Sequence, residues 1–271
     1  AIAMVLCRKN GIAKIVGDPI WERYTNKIST RYNIEEFDVK RLPIKWRLEQ
    51  KILIKSLKRF SHVYYPSEQL KSIFQNKGLK IPQSVIHNGV ECHSIDSVTN
   101  EFDVITVSRL TKWKNIDILI RACSELRLKL AIIGDGPELS NLRILAEEQR
   151  AEVKFFGSLK EDEIRGALSR ARIFVLISSY EGLSFALLEA MMSGKPIIVS
   201  NNAGNTQAIT NLKNGVVVDL KDNDSLKQGL KTLIADSSLA KNLGEIAHRE
   251  AKAKFCEEQN YKKILSIVES V

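Results

Sequence analysis

Ile173-Phe174-Val175-Leu176-Ile177 is followed by Ser178-Ser179-Tyr180-Glu181-Gly182-Leu183-Ser184. Then come Phe185-Ala186-Leu187-Leu188-Glu189-Ala190-Met191-Met192 and, past Gly194-Lys195, Pro196-Ile197-Ile198-Val199. An uninterrupted apolar run, a polar loop, an apolar segment of helical length and a second apolar run read as strand, turn, helix and strand. The runs do not alternate with polar residues, so each strand is buried on both faces, as in a parallel sheet. Gly182 suits the tight turn and Ser184 the helix cap. The first amides of such a helix favour an anion. The carboxylates of Glu181 and Glu189, on either side of the turn, accept hydrogen bonds from hydroxyls. A ligand carrying both phosphate and sugar meets both demands, and a nucleotide sugar is one. The plainer alternative makes Glu181 a cap-region carboxylate and Glu189 a solvated helix residue.

The same alternation continues on both sides. Apolar runs at 103–107, 130–133, 153–156, 197–199 and 216–218 read as further strands, with helices at 116–126, 137–150, 161–171, 185–192 and 225–234 between them. That order predicts a doubly wound, Rossmann-like α/β domain. Residues 12–16, 63–65 and 85–86 read as three more strands, with a helix opened by Pro66-Ser67-Glu68, too few for a complete second domain. The expected organisation is a partial N-terminal, acceptor-side domain at 1–95 and a nucleotide-sugar-binding domain at 96–255. A C-terminal helix at 256–271 is expected to cross back to the first domain. Residues 91–101 are polar and turn-rich, as a linker would be, and residues 1–9 resemble the tail of a helix.

Composition narrows the class. The chain has 271 residues, is 44% hydrophobic and carries a net charge of +9. No stretch approaches the roughly 18 apolar residues of a membrane span, and the charges of the first residues follow an apolar stretch, the reverse of a secretory signal. Cys7, Cys92, Cys123 and Cys256 lie far apart without a C-x-x-C pair. Their spacing argues against zinc and against a disulfide framework, and for a cytoplasmic protein. His62, His87, His93 and His248 lack ligand spacing, so no metal is expected. Residues 1–100 hold 17 Lys/Arg against 9 Asp/Glu, so nearly all the net charge lies there. Arg47, Lys51, Lys55, Lys58 and Arg59 share one sector of a helix, with Leu53, Leu57 and Phe60 largely opposite. The sector is either a solvated face or an electrostatic docking surface for an anionic membrane, which would make the protein peripheral on the inner face. Without interleaved aromatics, nucleic acid is not expected.

Several motifs in order carry a resemblance. Val107-Ser108-Arg109-Leu110, Lys112-Trp113-Lys114-Asn115-Ile116-Asp117, Gly134-Asp135-Gly136-Pro137, Phe156-Gly157-Ser158-Leu159, the segment from Glu181 to Glu189, and Gly194-Lys195-Pro196 together resemble the donor domain of family 4 glycosyltransferases. These are retaining enzymes of the GT-B fold. The likeness covers residues 100–271, and Pro66-Ser67-Glu68 with residues 85–90 resembles the end of that family's N-terminal domain. It implies that Arg109 and Lys114 hold the donor diphosphate, the alternative being surface charges, and that Glu189 accepts the ribose hydroxyls. Glu181 would contact the sugar near the reacting carbon, and the amides of Leu183, Ser184 and Phe185 would complete the cradle. Phe156 and Gly157 would lie by the base. Gly134 and Gly136 would shape a turn or touch the ligand.

The chain also departs from that pattern. Asn115 stands where the family usually has glycine, and Asn205 and Gln207 stand near Gly204 where it has a glycine and a glutamate. Asp18, in Gly17-Asp18-Pro19, is the candidate to replace a histidine near the anomeric centre, unless it only forms an Asp-Pro turn. The family's Gly-rich loop and first strands are missing, so an N-terminally truncated member is expected. The implied activity is retaining, metal-independent transfer of a hexose-type sugar from a nucleoside diphosphate sugar to a hydroxyl of a polysaccharide or lipid-linked glycan. No cofactor is expected beyond that donor substrate. A non-catalytic nucleotide-sugar-binding subunit and a nucleotide-sugar epimerase are the alternatives.

Overall fold

A computed structural model describes residues 11–28, 34, 37–95, 100–222 and 224–270. The helix tail expected at residues 1–9 lies outside them, as do residues 96–99 of the expected linker. The chain divides into two compact units, one of Ala1–Gly89 with Glu257–Val271 and the other of Val90–Cys256.

The second unit is built on six parallel strands, β4 (Phe102–Val107), β5 (Leu130–Ile133), β6 (Val153–Gly157), β7 (Ala171–Leu176), β8 (Ile197–Ser200) and β9 (Val216–Val218), in the order β6-β5-β4-β7-β8-β9. Between them run α4 (Ile116–Glu125), α5 (Leu139–Glu148), α6 (Glu161–Ser169), α7 (Phe185–Met192), the short α8 (Ala203–Thr206) and α9 (Ser225–Ala235). The unit ends with α10 (Ser237–Lys254). Successive strand residues alternate between two cores. Ile105, Ala131, Ile133, Phe174 and Leu176 pack with Leu187, Leu188 and Met191 of α7 and with Ala247 and Ala251 of α10. Val104, Leu130, Ile132, Ile173 and Val175 face Leu119, Ile120, Leu145 and Leu230 on α4, α5 and α9. Burying each such Leu, Ile or Phe contributes about 1.5–3 kcal/mol before chain entropy is set against it. This double burial is why the strands read as unbroken apolar runs.

From β4 the chain winds outward through β5 to β6, then returns to the other side of β4 and winds outward through β7, β8 and β9. The reversal leaves a crevice beyond the carboxyl ends of β4 and β7, which is where open sheets of this kind bind ligands. The loops that fill it are 108–115 and 177–184.

The first unit has a three-stranded parallel sheet, β1 (Ile12–Lys14), β2 (His62–Tyr65) and β3 (Gln83–Val85), in that order. Its helices are α1 (Pro19–Ile28), α2 (Ile44–Leu57), α3 (Glu68–Asn76) and α11 (Glu257–Glu269). Trp21, Tyr65, Leu70, Phe74 and Leu79 are fully buried in it. No helix among the described residues is long and apolar enough to cross a membrane.

Two expectations need correction. Cys92 and Cys256 form a disulfide, with Cα atoms 5.6 Å apart across a sequence separation of 164. Spacing cannot reveal such a pair; the fold creates it by bringing the two ends of the second unit together, where Val90 N also donates to Phe255 O at 2.9 Å. Cys123 remains a buried thiol whose pKa burial pushes up. The basic helix is also not simply polar outside and apolar inside. Trp46, Ile54 and Leu57 are buried, but Ile44, Leu48 and Ile52 stand exposed among the lysines.

Candidate functional site

The loop after β4 carries the cations. Arg109 is exposed and forms no ion pair with a described residue. Lys114 ends a single 3-10 turn, Lys112–Lys114, and its Nζ donates to Glu181 Oε1 at 2.5 Å. Its side chain is 13% exposed and that of Glu181 9%. Ser178 Oγ donates to the same oxygen at 2.5 Å. No described residue donates to Glu181 Oε2, so this carboxylate is anchored on one side and keeps acceptor capacity on the other. Lys114, with three N–H donors and one engaged here, keeps capacity as well.

The two loops are tied to each other. Asn115 adopts a left-handed conformation, φ 54° and ψ 32°, which explains why glycine suits this position and why asparagine, the residue that best tolerates it, can replace glycine. Its Nδ2 donates to Ile177 O at 2.8 Å and to Ser179 Oγ at 3.1 Å, and Ser179 N donates to Trp113 O at 2.7 Å. The other departures hold the loop from the far side. Gln207 Nε2 donates to Gly182 O at 2.8 Å and Gly204 O at 3.1 Å. Asn202 Nδ2 donates to Ser178 O at 2.9 Å, and the fully buried Asn205 bonds Ser200. Gly204 lies against the Glu181 backbone so closely that a Cβ would sit 1.9 Å from Glu181 O. Ser178, Asn202 and Gly204 were not singled out by sequence. The signal available was a pair of hydroxyls, Ser178 and Ser179, ending an otherwise apolar strand.

Glu189 is half-buried on α7, four residues beyond its start at Phe185. Ser184 caps that helix, its Oγ accepting from Leu187 N at 3.4 Å, while Leu183 is buried and Phe185 exposed. Gly134 and Gly136 are required by the turn after β5, since a Cβ on them would fall 1.9 Å from Ser108 O and 2.3 Å from Leu110 O. They let that turn close on the Arg109 loop, where Leu110 N donates to Asp135 O at 2.9 Å. Gly157 has φ 71° at the end of β6, and its carbonyl accepts from Gly134 N at 2.8 Å. The Phe156 ring packs at 5.8 Å from Phe102, with the Lys154 ammonium 5.0 Å and the Arg170 guanidinium 5.7 Å from its centroid.

Asp18 does not resemble Glu181. It is fully buried; Oδ1 accepts from Ile20 N at 3.1 Å and Trp21 N at 3.3 Å, capping α1, and Oδ2 is ion-paired to Lys77. Both oxygens are engaged, one in capping the helix and the other with Lys77, which is the arrangement of an Asp-Pro cap. Among the described residues no cluster of three His, Cys, Asp or Glu could hold a metal ion.

Comparisons with known proteins bear on the family and the fold. Residues 93–250 match the family described as Glycosyl transferases group 1. An uncharacterized glycosyltransferase of Methanocaldococcus jannaschii is 30% identical over 205 residues, 68% of this chain and 52% of the relative. The N-acetylgalactosamine-N,N'-diacetylbacillosaminyl-diphospho-undecaprenol 4-alpha-N-acetylgalactosaminyltransferase of Campylobacter jejuni is 26% identical over 218 residues, 76% of this chain and 60% of that enzyme. The chain thus spans about half the length of the curated relatives it matches. Anabaena HepE, crystallised with UDP and glucose, superposes with a TM-score of 0.82 at 20% identity, over 100% of this chain and 74% of its own. With the motifs in order along the Val90–Cys256 unit and the family match spanning more than half of its residues, the chain belongs to the glycosyl transferases group 1 family and has the GT-B fold.

Proposed function

We propose that the protein is a retaining glycosyltransferase that moves a hexose-type sugar from a nucleoside diphosphate sugar to a hydroxyl of a polysaccharide or lipid-linked glycan. The observation that carries this reading is the Lys114–Glu181–Ser178 cluster at the β4/β7 reversal, just before the first turn of α7, with the exposed Arg109 on the same loop as Lys114. As the bond from the anomeric carbon to the diphosphate breaks, the electron pair leaves with the diphosphate. Arg109, the two remaining Lys114 donors and the first amides of α7 balance that charge without a metal ion. Glu181 Oε2 accepts from a sugar hydroxyl and Glu189 from the ribose. The base lies along the backbone of Gly157, the Phe156 ring being taken up by its packing. The acceptor hydroxyl attacks the face the diphosphate leaves, directly or after a short-lived intermediate, and gives its proton to an oxygen of the departing diphosphate, so the anomeric configuration is kept. A lipid-linked acceptor gains support from the Campylobacter relative, whose name includes a diphospho-undecaprenol carrier. The cations Arg47, Lys51, Lys55, Lys58 and Arg59 would hold the protein on an anionic membrane surface.

Incubation with a panel of nucleotide sugars, with and without glycan acceptors and with a chelator throughout, tests this. Transfer with the anomeric proton of the product in the donor's configuration is the expected result. Epimerised donor, or transfer that the chelator abolishes, would overturn it.

A further inference from the structure

The first unit exposes two apolar stripes. On α2, Ile44, Leu48 and Ile52 are 80%, 58% and 56% exposed at four-residue spacing, a row about 12 Å long. On α11, Tyr261, Leu265 and Val268 are 60%, 57% and 54% exposed. Their borders differ. The α11 stripe lies on a helix carrying Glu257, Glu258 and Glu269 as well as Lys262 and Lys263, so its field has no dominant sign. The α2 stripe is bordered by exposed Lys45, Arg47, Lys51 and Lys55 on the helix and by Lys58 and Arg59 after it. The one acid of α2, Glu49, is half-buried and ion-paired to Arg23 at 3.0 Å.

The helix cannot roll to hide the stripe. Its other side holds Trp46, Ile54 and Leu57 in the unit's interior, with Trp46 edge-on to Tyr24 at 5.5 Å and beneath the Arg23 guanidinium at 5.6 Å. An apolar row among cations, fixed outward by a buried row behind it, matches a surface that is negatively charged outside and hydrocarbon beneath. Nucleic acid has the charge but no apolar layer for isoleucine and leucine to enter.

We propose that α2 docks on an anionic bilayer with Ile44, Leu48 and Ile52 inserted at the boundary of headgroups and acyl chains and the six cations on lipid phosphates. This deepens the electrostatic docking proposed above and rests on that reading. Insertion supplies binding that salt does not screen, whereas the cations supply binding that it does.

Co-sedimentation of the whole chain with vesicles of phosphatidylcholine, alone or mixed with phosphatidylglycerol, separates the two. The parent is expected to bind the mixed vesicles and to retain part of that binding in half-molar salt. Replacing Ile44, Leu48 and Ile52 together by serine should lower the partition coefficient by about a hundredfold. Replacing Lys51, Lys55 and Lys58 by glutamine should lower it comparably at low salt and little at high salt. Leu265→Ser with Val268→Ser on α11 should change nothing. The substituted residues are exposed, so the circular dichroism melt should stay that of the parent. Affinity for nucleoside diphosphates, read by calorimetry with UDP, GDP, ADP and dTDP, should be unchanged in every variant; a parent that binds none of them would sink the donor-site reading and leave this one standing. A parent that ignores anionic vesicles, or an apolar triple variant that binds as the parent does, overturns the insertion.

Discussion

Asp18 and Glu181 are both buried carboxylates ion-paired to a lysine, and both stand in the turn between a strand and the following helix. In the first unit Asp18 divides its two oxygens between the amides of α1 and Lys77, and nothing is left over. In the second, Glu181 takes Lys114 and Ser178 on one oxygen, and the other receives nothing from a described residue. Burial and pairing are therefore common to a structural carboxylate and a candidate binding one. The difference is the unused hydrogen-bonding capacity, and where it lies: Glu181 faces a sheet reversal, Asp18 the start of a helix.

The largest effect should come from Asp18. Asp18→Ala leaves Lys77 largely buried without its partner and removes the α1 cap, which should destabilise the first unit by about 3–5 kcal/mol. Chemical denaturation should show an earlier unfolding transition, and nucleotide affinity measured below that transition should equal the parent's. If stability is unchanged and transfer is lost, Asp18 works at the reaction centre and the contrast with Glu181 collapses.

Next is Arg109→Ala, which removes charge-assisted hydrogen bonds to the diphosphate and should weaken nucleoside diphosphate binding by about 2 kcal/mol, roughly thirtyfold. Calorimetry with a chelator present reads this. An affinity unchanged by the substitution would return Arg109 to the surface charges.

The two glutamates of the second unit sharpen the contrast further. Glu189→Ala should weaken free nucleotide by about 1–1.5 kcal/mol, around tenfold, through the loss of ribose hydrogen bonds. Glu181→Gln should leave free nucleotide within about twofold and weaken the nucleotide sugar relative to it, because only the sugar reaches Oε2. Equal effects of both on free nucleotide would contradict the division of roles.

These residues also mark how much the sequence could reveal. The strands of the second unit were legible because both faces are buried, and α7 because Ser184 caps an apolar run. Helix α1 was not, since Asp followed by Pro opens a helix and also makes a turn, and only the amides of Ile20 and Trp21 decide between them. On α2 two apolar rows compete for the interior, and the sequence favoured Leu53, Leu57 and Phe60 without showing that Ile44, Leu48 and Ile52 remain outside. The candidate cations and carboxylates were legible from their order. The residues that hold the loop from outside were not, because Asn202 and Gly204 act through contacts between segments distant in sequence.

Asn115 should give the smallest effect and the most specific one. Its backbone needs a left-handed residue and its side chain needs to span to Ile177 and Ser179, two roles that glycine and alanine separate. Asn115→Gly keeps the backbone and loses the tie, so stability should fall by only about 1 kcal/mol. Asn115→Ala loses the tie and also strains the turn, adding about 1–2 kcal/mol. If the tie sets the distance between the Lys114 and Glu181 loops, both variants should lower kcat for transfer several-fold, the glycine variant with a nearly unchanged melting temperature. Were the glycine variant to lose stability with full kcat, Asn115 would be one more structural polar group like Asp18. A lowered kcat at near-parental stability would place it with Glu181, in the part of the molecule where spare polar capacity is kept in position.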